Sequence, residues 1–159
     1  MEKTAGDSLK KLYERYVNKV KESNSVYDYE FVFSDGQMYK GIMLIGEAPG
    51  KDEVEQKKPF VGMAGGKLKQ SMDSLSLKRE DIFVTNAIKY RLYEINPKTG
   101  KKKNRPASKK EIEQGMACLE EEIEIARPKI IITLGNVPLH AITKDFSLTV
   151  GICHGQNLD

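Results

Sequence analysis

An apolar segment breaks abruptly into a glycine- and proline-rich loop within the first third of this 159-residue chain. Residues 42–45 are continuously apolar and lead directly into GEAPG at residues 46–50; several acids and a second loop, PFVG at 59–62, follow. In open α/β sheets, ligand pockets form where strands end in such loops, because backbone amides and short side chains converge there. The segment therefore predicts a strand and a ligand-binding loop whose amides, acids and one aromatic face suit a flat polar ring.

Two later apolar runs end in a similar way. Residues 82–84 lead into Thr85-Asn86, and KIIITL at residues 129–134, which is typical of a buried parallel strand, leads into Gly135-Asn136. Strands that alternate with helices predict an α/β fold with a mostly parallel sheet, helices on both faces and all three strand exits at one edge. Apolar residues recur at helical spacing in the other segments, at residues 8–23, 65–75 and 108–126.

The remaining local patterns predict shorter elements. Residues 27–33 are expected to form a strand, which a turn at 34–36 returns into the strand at 41–45. A short helix is expected at residues 135–142, and a last strand or hairpin near residues 148–153.

Composition restricts the class of protein. The apolar fraction of 39% and the charged fraction of 31% are ordinary for a soluble globular protein of one domain. No apolar run approaches the roughly 20 residues that span a bilayer, and the N-terminus lacks the apolar core of a signal peptide. Two cysteines are too few for a disulfide framework. We therefore expect free thiols, a cytoplasmic location and no membrane partner.

A basic stretch lies between Pro97 and Lys110, where the chain is rich in lysine and contains no acid. Such a block is either a solvated loop or a mobile loop that contacts a phosphate backbone, and the net charge of +3 does not decide between them. Ser108 and Glu111, at the end of this stretch, form a capping-box pattern that begins a helix.

A nucleotide-hydrolase loop is the first alternative for the glycine-rich segment. The spacing from Gly46 to Lys51 is one residue short of the Walker pattern, and Asp52 stands where a hydroxyl should hold magnesium. The loop at residues 62–68 fails in the same ways, and the dinucleotide fingerprint is absent from the sequence. Neither loop therefore predicts phosphate binding.

The order of the motifs resembles a known family. GEAPG at residues 46–50 is followed after eight residues by PFVGMAG at 59–65, then by TNAIKYR at 85–91 and KIIITLGN at 129–136. This order is similar to the family-4-like branch of the uracil-DNA glycosylase superfamily, over about residues 31–156. The resemblance implies a three-layer α/β/α sandwich with a mostly parallel central sheet, and an enzyme that flips uracil out of DNA and hydrolyses its N-glycosidic bond.

The resemblance also implies roles for particular residues. Phe60 corresponds to the aromatic residue that stacks on the base, although a phenylalanine here could simply belong to the core. Asn86 corresponds to the base-reading residue, whose amide offers a donor and an acceptor to uracil; it could instead cap the strand exit. Glu53 corresponds to a carboxylate that positions water or supports positive charge on the sugar, with Glu47 as the second candidate acid. The other residues expected to line the base pocket are Gly46, Ala48, Pro49 and Gly50.

Contacts with DNA are expected from the strand exit and the basic stretch, because their cations can neutralise phosphates and because Asn104-Arg105 resembles an Asn-Arg pair of the family. The residues concerned are Lys89, Lys101, Lys102, Lys103, Asn104 and Arg105.

Many members of this family bind a four-cysteine iron–sulfur cluster. In this chain the N-terminal helix has no cysteine, Tyr90 occupies one ligand position, and only Cys118 falls where a ligand is expected. One thiolate cannot hold a cluster, so we expect neither cluster nor other cofactor and predict that Cys118 is a small buried residue.

The family's last motif is a His-Pro-Ser or His-Pro-Ala segment after a fourth parallel strand. We expect one domain over residues 1–159 that is truncated before this strand and motif, because His154 is followed by glycine and the sequence ends at Asp159. His140 lies in an apolar helix and is expected to be structural.

Three functions follow from these patterns. The first is a uracil-DNA glycosylase of base-excision repair, and the second is a catalytically weak or inactive nucleic-acid-binding domain that retains the base pocket. The third is a nucleotide-binding enzyme of unrelated chemistry on a similar fold.

Overall fold

A three-stranded parallel sheet forms the centre of the protein, for which a computed structural model describes residues 2–158. Strand β1 (Ile42–Gly46) lies between β2 (Phe83–Asn86) and β5 (Ile130–Thr133). Gly46 pairs with Asn86 in the ladder, and Ile45 pairs with Thr133. The three predicted strand exits therefore lie at one edge of the sheet, as expected.

Helices cover both faces of this sheet. They are α1 (Glu2–Ser23), α2 (Lys51–Gln56), α3 (Met63–Ser74), α4 (Lys109–Ala126), α5 (Asn136–Thr143) and α6 (Val150–Cys153), with a 3₁₀ turn at Arg79–Asp81. Among residues 2–158, none of the helices is both long enough and apolar enough to cross a membrane.

The central strand divides its side chains between two cores, because successive residues of a strand point to opposite faces. Met43 and Ile45 belong to the core that contains residues of α1 and α4. Leu44 belongs to a second core with Val84 and with Met72 of α3. The sheet thus lies between two helical layers, which confirms the predicted α/β/α architecture.

The predicted start of α4 is also confirmed. Ser108 Oγ accepts a hydrogen bond from the Glu111 backbone N–H at 3.3 Å, and the Glu111 carboxylate accepts one from the Ser108 N–H at 2.9 Å. This reciprocal pair satisfies two of the amide groups that the first turn of a helix leaves without partners.

The predicted hairpin of residues 27–33 with residues 41–45 is wrong. Residues 30–35 instead run antiparallel to the segment that leaves β2: the Val32 N–H donates to the Lys89 carbonyl at 2.8 Å, and the Asp35 N–H donates to the Val84 carbonyl at 2.9 Å. The reason is aromatic packing, since Tyr29 meets the Tyr90 ring edge-on with centroids 4.8 Å apart.

The basic stretch is more ordered than a loop. Its strand β4 (Lys102–Asn104) pairs antiparallel with β3 (Tyr93–Ile95), which precedes the stretch, with Tyr93 opposite Asn104. The Asn96 side chain accepts hydrogen bonds from the backbone of Lys98 and Thr99 and so closes the turn. The sequence does not predict this hairpin because each strand has only 3 residues and β4 contains no apolar residue.

Two predictions near the end of the chain are wrong. Strand β5 is not buried: Ile130 is 56% exposed and Ile132 39% exposed, because β5 is the edge strand of the three-stranded sheet that the described residues form. The segment at residues 148–153 contains the short helix α6 rather than a strand or hairpin.

Candidate active site

Three segments predicted to form the site meet around Gly46, the last residue of β1. A Cβ atom placed on Gly46 would lie 2.3 Å from Cζ of Phe60 and 2.5 Å from Oδ1 of Asn86. Real Cβ contacts are longer than this, so the aromatic ring and the amide occupy the space that a side chain would need. The structure therefore brings together the first glycine loop, the aromatic residue and the asparagine.

The Asn86 side chain is buried but makes no hydrogen bond. The residue is 4% exposed, and none of the side-chain hydrogen bonds within residues 2–158 involves its amide. Its backbone is held on both sides, since the Ala87 N–H donates to the Gly46 carbonyl at 2.8 Å and Lys89 Nζ donates to the Asn86 carbonyl at 2.6 Å. The amide does not cap the strand exit, and its donor and acceptor are available to a ligand.

Phe60 lies in a strained backbone conformation. Its φ of 53° is in the left-handed region, which residues other than glycine and asparagine seldom adopt. The turn also requires Gly65, where a Cβ would lie 2.0 Å from the Phe60 carbonyl oxygen. The half-buried ring packs partly against the core of Leu44 and Met72, so the expected core role is met in part, and the stacking role stays a prediction. Strain of this kind is common at functional sites.

Phe60 also borders a separate groove of about 660 Å³ between α3 and the 3₁₀ turn. Among the residues that the structure describes, the lining of this groove includes Met72 and Arg79 but neither Gly46 nor Asn86. Gly46 and the Asn86 amide are therefore not part of the lining of this groove.

Glu53 joins the two glycine loops. One carboxylate oxygen accepts a hydrogen bond from the Gly50 N–H at 3.1 Å, and the other accepts one from the Gly62 N–H at 3.1 Å. Both oxygens are thus used to hold the loops together at the start of α2. The sequence does not reveal this arrangement, because the nine-residue spacing to Gly62 fits no local capping pattern.

Glu47 is the more accessible of the two candidate acids. The residue is exposed, but the protein around its carboxyl group raises the pKa above the usual value of a glutamate through desolvation. Its backbone carbonyl accepts a hydrogen bond from the Ile88 N–H at 2.9 Å, which continues the contact between the two strand exits. The neighbouring loop residues are the half-buried Ala48, the buried Pro49 and the half-buried Gly50.

Lys89 lies inside the protein, and the expectation that it contacts DNA is wrong. Its side chain is 0% exposed, and Nζ lies 2.6 Å from Oε2 of Glu122 on α4. An ammonium group without exposed surface cannot reach a phosphate. Glu122 falls on the inward face of α4, four residues after Cys118, and an acid at such a position indicates a buried cation as partner.

Part of the positive charge of the basic hairpin is bound to acidic residues of the same protein. Lys102 Nζ lies 2.8 Å from the Glu30 carboxylate and 4.3 Å from the centroid of the Tyr93 ring, and its hydrogen bond to Glu30 raises its pKa. Asn104 Oδ1 accepts a hydrogen bond from Arg91 Nε at 3.0 Å. By contrast, Lys101 and Lys103 are exposed and form no ion pair with any residue that the structure describes.

Arg105 forms a two-pronged ion pair with Glu111. Its two terminal nitrogens donate to the Glu111 carboxylate at 2.9 and 2.7 Å. Burial alone would raise the pKa of Glu111, but hydrogen bonds from Arg105 and Ser108 outweigh it and lower the pKa to about 2.

This ion pair predicts acid sensitivity. Because the native pKa of Glu111 lies below its usual value, the stabilisation is complete above about pH 4.5 and is lost as the pH falls towards 2. We expect the difference in free energy of unfolding between the wild type and Glu111→Gln to reach at most about 3 kcal/mol at pH 7 and to shrink through this window. Urea unfolding at pH 7, 4 and 3 checks this, and a pH-independent difference would contradict it.

The residues present do not fit an iron–sulfur cluster. Cys118 is 4% exposed, and burial raises the pKa of its thiol to about 12, which disfavours the thiolate that binds metal. Tyr90 packs among aromatic rings, with its hydroxyl donating to Glu111. Across residues 2–158, no group of three or more His, Cys, Asp or Glu side chains could hold a metal ion.

The two histidines lie away from these loops in the sequence. His140 Nε2 lies 2.7 Å from the Leu148 carbonyl oxygen, and its ring packs against Phe146. It thereby connects α5 to the segment before α6, as a structural residue does. His154 is exposed at the end of α6.

Comparison with known proteins is consistent with this geometry. The family described as Uracil DNA glycosylase superfamily matches residues 33–157. A type-4 uracil-DNA glycosylase of Pyrobaculum aerophilum is 35% identical over 134 residues, which cover 84% of this chain and 64% of that protein. One from Saccharolobus solfataricus is 42% identical over 102 residues, covering 64% of this chain and 43% of that protein.

A DNA polymerase of Bacillus phage SP01 is 32% identical over 109 residues, which cover 68% of this chain and 11% of the polymerase. The chain spans about half to two thirds of the length of the curated glycosylases that it matches over most of its own length. The match of the family over residues 33–157 shows that this chain belongs to the uracil-DNA glycosylase superfamily.

Proposed function

We propose that this protein removes uracil from DNA by flipping the nucleotide out of the helix and hydrolysing its N-glycosidic bond. The observation that carries this proposal is the meeting of Phe60 and Asn86 on Gly46, where a side chain would collide with both. An aromatic face beside an unpaired amide at the end of a parallel strand is the arrangement that a flat, polar pyrimidine requires. The names of the relatives, type-4 uracil-DNA glycosylases, support the same substrate.

Base recognition is assigned to the amide and the ring. Asn86 would donate to O4 of uracil and accept from N3–H, while Phe60 would stack on the pyrimidine. Flipping a nucleotide costs a few kcal/mol, which stacking and edge hydrogen bonds offset. The loop from Gly46 to Gly50 would enclose the base.

The chemical step passes through a positively charged sugar and a uracil anion, which both need stabilisation. Glu53 supplies negative charge between the two loops, and its bonds to Gly50 and Gly62 keep that charge in place. Glu47, with its raised pKa and accessible carboxyl group, is the better candidate to accept a proton from water.

We further propose that residues 1–159 act as a single domain and as a monomer in the cytoplasm. Lys101 and Lys103 would contact the DNA backbone, since both are exposed without ion-pair partners among the described residues. Asn104 and Arg105, which follow Lys103 in the chain, would contact the DNA backbone next to these lysines.

The activity is tested with uracil-containing single- and double-stranded oligonucleotides, followed by alkali to reveal abasic sites. We expect cleavage at uracil and none in matched thymine-containing oligonucleotides. The second candidate is a binding domain with little activity, which is favoured by the use of both Glu53 oxygens in hydrogen bonds to the loops. Salt-sensitive DNA binding without abasic sites would support this second function.

Removal of the two exposed hairpin lysines is expected to weaken binding to all sequences alike. The Lys101→Ala/Lys103→Ala variant should flatten the slope of log affinity against log salt by roughly 1 to 2, about 0.9 for each phosphate contact that is lost. Fluorescence anisotropy with a labelled oligonucleotide at several salt concentrations measures this slope.

The control variant removes two positive charges from a different part of the protein surface. Lys10 and Lys11 are exposed on α1, and the Lys10→Ala/Lys11→Ala variant should leave the slope as in the wild type. Equal slopes for both double variants would show that the hairpin lysines are solvated residues without a phosphate partner.

A further inference from the structure

A fully buried ion pair lies directly behind the proposed base-reading residue. Lys89 and Glu122 are both 0% exposed, and Lys89 Nζ donates to the Glu122 carboxylate, to Thr85 Oγ1 at 2.9 Å and to the Asn86 carbonyl at 2.6 Å. Glu122 also accepts hydrogen bonds from the Thr85 hydroxyl and from the hydroxyl of Tyr13 on α1. These four side chains, Lys89, Glu122, Thr85 and Tyr13, are the buried polar network.

Stability alone does not account for such a network. The desolvation of two buried charges often outweighs their attraction, and apolar replacements of similar volume are frequently neutral or stabilising. The local effect of this pair is clearer, because Lys89 bridges back to Thr85 and Asn86 and thus closes the exit of β2 into a compact turn.

The hydrogen bonds from Lys89 act on a turn that contains Asn86 and is also held from two other sides. The antiparallel segment at residues 30–35 hydrogen-bonds to Val84 and to Lys89, on either side of Asn86. On the other side, the ladder with β1 pairs Asn86 with Gly46, where Oδ1 has little room. The Lys89 ammonium holds the Asn86 backbone from inside the protein through its hydrogen bond to the carbonyl. The side-chain amide of Asn86 lies close to Phe60 and has no hydrogen-bond partner among the described residues.

We propose that Lys89 is a positioning residue for uracil recognition: held by Glu122, it fixes the backbone of Asn86 so that the amide presents its donor and acceptor to the base. This inference rests on the proposed function, which assigns the base-reading role to Asn86. Lys89 itself touches neither DNA nor uracil, since its side chain has no exposed surface.

The test separates positioning from stability. Lys89→Met alone leaves the Glu122 charge buried without its partner, which is strongly destabilising. The double variant Lys89→Met/Glu122→Leu removes both charges and leaves the buried Thr85 hydroxyl without these partners, so its urea midpoint should fall far less than that of Lys89→Met alone. We expect its uracil excision to fall on the order of 100-fold, mainly in kcat, because small misplacements of a recognition group have effects of this size.

Tyr13→Phe is the matched control, since it deletes a different hydrogen bond to Glu122 and leaves the bond to Asn86 in place. Its excision should stay within a few-fold of the wild type. A double variant that folds and excises uracil at the wild-type rate would overturn the proposal. If the double variant does not fold, Glu122→Asp draws the carboxylate away from Lys89, and it should lose excision in the same direction; unchanged excision there would also overturn it.

A second readout does not depend on activity. In ¹⁵N-labelled protein, the side-chain NH₂ resonances of Asn86 should shift in the double variant and stay in place in Tyr13→Phe. Unshifted Asn86 resonances in the folded double variant would overturn the positioning role. A wild-type protein that makes no abasic sites would count against the proposed function, while the resonances would still decide whether Lys89 orders Asn86.

Discussion

Replacing Asn86 by alanine is expected to lower uracil excision roughly 100- to 1000-fold, the range found when one preorganised donor is removed from an active site. In the proposed function the Asn86 amide reads the uracil edge, and the methyl group of alanine can neither donate nor accept a hydrogen bond. The fold should tolerate the change, because the Asn86 amide has no partner among the described residues and its backbone bonds remain. Single-turnover excision from a uracil-containing oligonucleotide measures the loss, with urea unfolding as the check on stability.

Asn18→Ala provides the comparison for this experiment. Asn18 is an exposed residue of α1, and the substitution removes the same atoms without approaching the strand exits. Its excision rate should equal that of the wild type. Undiminished turnover in Asn86→Ala would remove Asn86 from the recognition site, and the assignment of the pocket would then have to be abandoned.

A methyl group on Gly46 is expected to close the base pocket. The added Cβ would lie 2.3 Å from the Phe60 ring and 2.5 Å from Asn86 Oδ1, so at least one of them has to move. Because recognition needs both groups in place, we expect Gly46→Ala to lose excision on the order of 100-fold. Overpacking of this kind also costs about 1 to 3 kcal/mol of stability, which urea unfolding reports.

Gly66→Ala is the matched substitution for this effect. Gly66 lies in α3, and no heavy atom comes within 4 Å of the Cβ that alanine would add. Alanine favours helix over glycine by about 1 kcal/mol, so this variant should be as stable as the wild type or slightly more so, with normal excision. Equal excision by Gly46→Ala and Gly66→Ala would show that the ring and the amide do not border the functional pocket together.

The local features of the site were predictable from the sequence because they depend on neighbouring residues. The run at residues 42–45 and the glycines that follow indicate a strand and its exit, and the pairing of Gly46 with Asn86 follows from parallel strands that end at one edge. The Ser108–Glu111 capping box is likewise a pattern within one turn of helix. The strand exit and the capping box each depend on residues a few positions apart, whereas the pairing of Gly46 with Asn86 follows from the general topology of a parallel sheet.

Pairing between distant charged groups was not predictable in this way. Lys102 in the basic stretch is bound to Glu30 and Arg105 is bound to Glu111, whereas Lys101 and Lys103 are exposed without an ion-pair partner among the described residues. The spacing of lysines along the chain carries no information on which of them meet acids from other segments. A charge near phosphate and a charge within the fold therefore look alike in the sequence.

The amino-acid sequence by itself determined the parallel strands, the glycine loops at their ends and the membership of this chain in its superfamily, because periodicity and short motifs encode all three. The tertiary structure alone decided that Lys89 is a buried partner of Glu122 and that Glu53 ties two loops together. Burial and the choice of hydrogen-bond partners arise only when α4, β2 and the glycine loops pack against one another, since the low polarity of the interior makes each buried charge depend on the group that it meets there.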